Sequence, residues 1–185
     1  MVSFKQLALL ALGAVQVQAQ CVGPAINSAA LNLIKEFEGW RPNIYRDPVG
    51  LPTVGYGHLC RDSSCSDVPY PIPLSVANGE RLLRSDLATY QNCITMQTAS
   101  SVVLNANQYG ALVSWAFNVG CGATSTSTLI RRLNAGESPN TVAAQELPRW
   151  NKAGGQVLPG LVRRRAAEVE LHRTSTSVRA LPACS

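Results

Sequence analysis

The stretch FEGWRPNIYRDPVGLPTVGYGH, residues 37–58, interrupts an otherwise helical chain. Upstream of it, Leu31, Ile34 and Phe37 recur at helical spacing behind the capping candidates Asn27 and Ser28, and Gly39 closes that helix. Within the stretch, Pro42, Pro48, Gly50, Pro52, Gly55 and Gly57 punctuate short segments such as Asn43-Ile44-Tyr45 and Thr53-Val54-Gly55-Tyr56. Such punctuation suits a small, tightly turned antiparallel sheet. Residues 61–73 are rich in Ser, Asp and Pro and read as loop.

Beyond residue 74 the pattern is helical again. Ser75 caps a helix with Val76, Leu83, Leu87, Tyr90 and Ile94 on one face. Asn105 and Gln108 form a capping-box pair ahead of Tyr109, Leu112, Val113, Ala116 and Phe117, and Gly120 ends that helix. Shorter helices are expected over 128–134, from Pro139 until Pro148 stops it, and over 161–172; the tail from Arg173 reads as irregular. A small β patch beside a helical body is α+β, and predicts two lobes with a cleft between them.

The 185 residues are 46% hydrophobic with a formal charge of +5, enough for one domain or one domain with a small lobe. Residues 1–19 read as a secretory leader: Lys5, an apolar run from Leu7 to Val15, and small residues at Val17-Gln18-Ala19. That leaves a single domain over 20–185, with an N-terminal helix and β lobe to about residue 74. Secretion agrees with the six cysteines, which allow 15 pairings. The expected bridges are Cys60–Cys65, Cys93–Cys121 and Cys21–Cys184. With two histidines and no CxxC pair, no metal or other cofactor is expected. The single short basic run, Arg163 to Arg165, argues against a nucleic-acid binder.

Glu38 ends the first helix, Asp47 lies nine residues on, and Thr53 six further. Glycoside cleavage needs a protonated carboxylic acid for the leaving oxygen and an ionised carboxylate on the opposite face, and a hydroxyl can help hold water. Spacing alone fits equally a helix-end Glu and a turn Asp. The context is more specific. The pattern E-G-x5-Y-x-D-x5-T-x-G-Y-G-H over 38–58, then Phe117-Asn118-Val119-Gly120, Ser127-Thr128-Leu129-Ile130, Trp150, and Gly160 through Arg165 with Glu168, resembles the bacteriophage-type lysozymes, glycoside hydrolase family 24.

That resemblance runs in order from about Leu31 to Leu171. It implies a lysozyme-like fold, with a small β-containing lobe joined by a long helix to a helical lobe. It also implies hydrolysis of β-1,4 bonds between N-acetylmuramic acid and N-acetylglucosamine in peptidoglycan. Glu38 would be the general acid, with Asp47 and Thr53 positioning water in an inverting reaction. Asn118 and His58 are candidate substrate-side residues. The resemblance also implies an ion pair between His58 and Asp86, and a contact from Asn118 to sugar amides. Trp150 is expected in the core. Arg163 to Arg165 fit a solvated helix face, with one arginine available to Glu38 or Glu168. A secreted monomer acting on peptidoglycan, without membrane insertion, is the leading expectation. A chitosan or chitin hydrolase and a non-catalytic glycan binder are the alternatives.

Overall fold

The structure, a computed structural model, describes residues 22–183. The expected leader and the Cys21–Cys184 bridge lie outside those residues. Helix α1, Ser28–Glu38, is capped by Asn27, whose side chain accepts from the Ala30 amide at 3.0 Å. It ends at Gly39, where φ is +72°. The interrupted stretch then folds as expected into an antiparallel sheet, β1 (Arg41–Arg46), β2 (Pro52–Gly55) and β3 (His58–Leu59), in that spatial order.

Helix α2, Val76–Gln97, starts from Ser75, whose hydroxyl accepts from the Asn78 amide. It serves two cores. Its Leu82 joins Val54, Leu74, Cys60 and Cys65 in a small cluster under the sheet, while Leu83, Leu87 and Ile94 enter the main core. Trp40 packs against both clusters, and a Cβ on Gly79 would collide with its ring. Val76, expected on the buried face, is instead exposed, because the first turn of α2 lies outside both clusters.

The main core is built around α3, Ala106–Val119. The capping box is present: Asn105 accepts from the Gln108 amide, and the Gln108 side chain accepts from the Asn105 amide, both at 2.9 Å. Tyr109, Leu112, Val113, Trp115 and Ala116 are buried between α1, α2 and the C-terminal helix over 159–173, each large side chain contributing about 1.5–3 kcal/mol. Gly110 allows α1 to approach so closely that a Cβ there would strike Ala30. Around α3 sit α4 (Cys121–Ser125), α5 (Thr128–Asn134), α6 (Pro139–Glu146) and α7 (Pro159–Arg173).

The chain departs from expectation in its last third. Helix α6 does stop ahead of Pro148, at Glu146 as expected, but Leu147–Arg149 follows as a 3-10 turn, a geometry that spares the amide proline lacks. A hairpin of β5 (Lys152–Ala153) and β6 (Gln156–Val157) turns through Gly154 and Gly155, both at positive φ. The tail is not irregular throughout. Arg179–Leu181 forms β7 and pairs antiparallel with β4, Leu104–Asn105, burying Leu181 in the main core. Disulfides join Cys60 to Cys65 and Cys93 to Cys121, the two expected pairings within the described residues. No helix among these residues is long and apolar enough to cross a membrane.

Candidate active site

A groove of about 400 Å³ runs between the sheet and the helical body. It is lined by Glu38, Gly57, His58, Asp86, Tyr90 and Asn118, among others, so three of the five expected site residues share it. Glu38 is held firmly at the C-terminal end of α1. Its Oε1 accepts from Arg164 Nη1 at 2.6 Å, across 126 residues of sequence. Its Oε2 lies over Gly57, where an added Cβ would sit 3.5 Å from it. With a positive φ of 86° as well, Gly57 keeps that oxygen clear.

Asp47 and Thr53 sit together on the β1–β2 hairpin, where Tyr45 pairs with Thr53 and Arg46 with Pro52. Asp47 Oδ1 accepts from the amides of Val49 and Leu51 at 3.0 and 2.8 Å, which shapes the hairpin turn. Thr53 is buried, and its hydroxyl donates to the Leu51 carbonyl at 3.2 Å. Neither residue lines the groove that holds Glu38.

His58 makes the expected ion pair: its Nδ1 lies 3.0 Å from both oxygens of Asp86. It has a second partner that sequence reasoning missed. Nε2 lies 3.2 Å from Asp67 Oδ2. Asp67 is fixed by the Arg61 amide and by the loop that Cys60–Cys65 closes. Hydrogen bonding to Asp86 raises the His58 pKa above its ordinary value, and burial only partly offsets this. His58, Cys60 and Asp67 bring donor atoms within 4.8 Å of one another. The Cys60 sulfur is already in a disulfide, so the trio does not make a thiolate metal site.

The arginine run divides between solvent and core. Arg163 is exposed, but Arg164 and Arg165 are buried, and they meet a fully buried Glu168. Arg165 Nη2 donates to Asn118 Oδ1 at 3.1 Å. The solvated face expected of the run holds only for Arg163, because Glu168, at i,i+3 and i,i+4, draws the other two inward; the expected pairing of one arginine with Glu38 or Glu168 is met by Arg164, which reaches both. Trp150 packs as expected, edge-on to Trp115 with ring centroids 5.3 Å apart.

The phage lysozyme family matches residues 35–168. The chain belongs to this family. The endolysin of Bacillus phage PZA is 40% identical over 156 residues, 82% of this chain and 56% of the relative. The endolysin of Acyrthosiphon pisum secondary endosymbiont phage 1 is 37% identical over 154 residues, 81% of this chain and 99% of the relative. The solved muramidase domain of SpmX from Asticaccaulis excentricus superposes with a TM-score of 0.68 at 34% identity, covering 81% of this chain and 98% of that domain. The chain spans just over half the length of the Bacillus phage endolysins it matches. The fold is therefore lysozyme-like, and the small sheet, the long α2 and the helical body are its lobes and connector.

Proposed function

We propose that this chain is a secreted, monomeric muramidase that hydrolyses the β-1,4 bond between N-acetylmuramic acid and N-acetylglucosamine in bacterial peptidoglycan. The observation that carries the reading is the fixed carboxyl of Glu38. Arg164 holds one oxygen and leaves the other over Gly57, facing the groove. Membership of the phage lysozyme family and the kinship with endolysins support the substrate class.

Glu38 gives its proton to the leaving glycosidic oxygen as the bond to the anomeric carbon breaks. A water molecule attacks that carbon from the opposite face and passes its proton to Asp47, whose Oδ2 lies outside the two turn-forming bonds. Thr53, beside Asp47 on the paired strand, steadies that water when its hydroxyl rotates from the Leu51 carbonyl. Arg164 then stabilises the carboxylate left on Glu38. Water addition without a covalent intermediate inverts the anomeric centre. Asn118 contacts sugar amides, while His58 shapes the groove floor through its two aspartates.

Purified chain is expected to clear a suspension of bacterial cell walls. Glu38→Gln is expected to cut the rate by about a hundred- to ten-thousand-fold, the usual contribution of a general acid. A folded Glu38→Gln protein that still clears walls would remove Glu38 from its role. Proton NMR of the first product anomer checks the stereochemistry, and a retained configuration would exclude water as the first nucleophile.

A further inference from the structure

Among the described residues Glu168 is the most buried charged side chain, and no step above uses it. Its Oε1 accepts from Ser114 Oγ at 2.8 Å, from Arg165 Nη2 at 2.9 Å and from Arg164 Nε at 3.3 Å. Its Oε2 lies 2.8 Å from Arg165 Nε. Each guanidinium then reaches outward to a groove residue, Arg164 to Glu38 Oε1 and Arg165 to Asn118 Oδ1. Arg164 is tied once more, through Nη2 to the Ser114 carbonyl. One carboxylate thus sits behind both arginines that reach the groove residues Glu38 and Asn118.

We propose that Glu168 is a positioning residue for glycan cleavage, which sets Arg164 and Arg165 against Glu38 and Asn118 and cancels one of their two positive charges. The proposal rests on Glu38 being the proton donor. Its logic is a charge balance. Two guanidiniums and one carboxylate leave a single positive charge behind Glu38, which matches the one negative charge that appears when Glu38 gives up its proton. Without Glu168 the charge there is doubled, and Glu38 is driven to lose its proton to water before substrate arrives. Burial pushes the Glu168 carboxyl up and the Arg165 guanidinium down to about 10, and the opposite charge of each works against the other's shift. Other groups facing Glu38 are the phenols of Tyr45 from β1 and Tyr90 from α2, while Asp86 and His58 line the same groove. Arg163 stacks on the neighbouring Phe37, 5.2 Å from the ring centre.

The test is turnover on soluble peptidoglycan fragments across pH, with Glu168→Gln, Glu168→Asp and the parent chain. Glu168→Gln is expected to lower kcat by about tenfold with little change in KM. It is also expected to move the alkaline limb of the activity profile to lower pH by about one unit. Glu168→Asp keeps the charge, so its limb stays with the parent. A folded Glu168→Gln with a parental profile overturns the proposal, even if kcat falls. Should Glu168→Gln not fold, Ser114→Ala serves. It removes the hydroxyl bond to Glu168 but leaves the carbonyl that Arg164 uses. A lower kcat rescued by Ser114→Thr supports the proposal, and parental kcat in Ser114→Ala overturns it. Failure of the Glu38 reading is seen separately, as cleavage that persists in Glu38→Gln.

Discussion

Replacing Asp86 by Asn tests the charge on His58 through stability. His58 has a carboxylate at each ring nitrogen, and only the doubly protonated imidazolium donates to both. The three side chains are 15–25% exposed, so the pairs are partly screened. A hydrogen bond to a charged group is worth about 1.5–3 kcal/mol when buried, and exposed ion pairs less than about 1 kcal/mol. Asp86, with both oxygens at 3.0 Å, falls near the lower end of the first range, about 2 kcal/mol. For a domain of this size that is a fall in Tm of about 4–8 °C. The sign follows from the raised His58 pKa. Its contribution is complete below the ordinary value of 6.5 and is lost as pH rises through the higher folded value. Asp67, whose carboxyl is held below its ordinary 3.8, first by the Arg61 amide, contributes above that value and fades as pH falls through its lower folded one. The window for the full effect therefore lies between about pH 4 and 6.5. Thermal unfolding of parent and Asp86→Asn at pH 5 and pH 9 is the assay. A deficit at pH 5 that shrinks at pH 9 is expected. An equal deficit at both would refute the role given to charge.

Two further substitutions probe the core. His172 is buried and held to about pKa 4 by that burial, so it opposes folding as pH falls from 6.5 towards 4. His172→Gln is expected to recover on the order of 2 kcal/mol at pH 4.5, measured by urea unfolding; no gain in acid would show the histidine to be already charged in the fold. Gly110→Ala places a Cβ against Ala30 and is expected to destabilise by about 1–3 kcal/mol, with unfolding at neutral pH as the check.

The elements with local causes were legible from residues alone. Asn27, Ser75 and the Asn105–Gln108 box announce three helices because a cap is satisfied within three residues of itself. The groove residues were legible only through resemblance, since Glu38 and Arg164 are separated by 126 positions. What was missed is non-local. The burial of Arg164 and Arg165 depends on groups from other helices to satisfy the guanidiniums, Ser114 and Glu38 for Arg164 and Asn118 for Arg165. Strand β7 is three residues long and exists because β4 offers it an edge. The β5–β6 hairpin was the exception, since Gly154-Gly155 is a local turn signal that was available and unused.

The pairing of β4 with β7 has a consequence for synthesis. Leu181 closes the main core, yet it lies eight residues beyond the end of α7. The Thr174 carbonyl likewise accepts from Asn107 at the start of α3. The central helix is therefore sealed only after residue 181 has been made and has left the ribosome's exit tunnel. Until then the nascent chain carries an open seam beside α3. The late strand delays closure of the core until every residue lining the groove has been made.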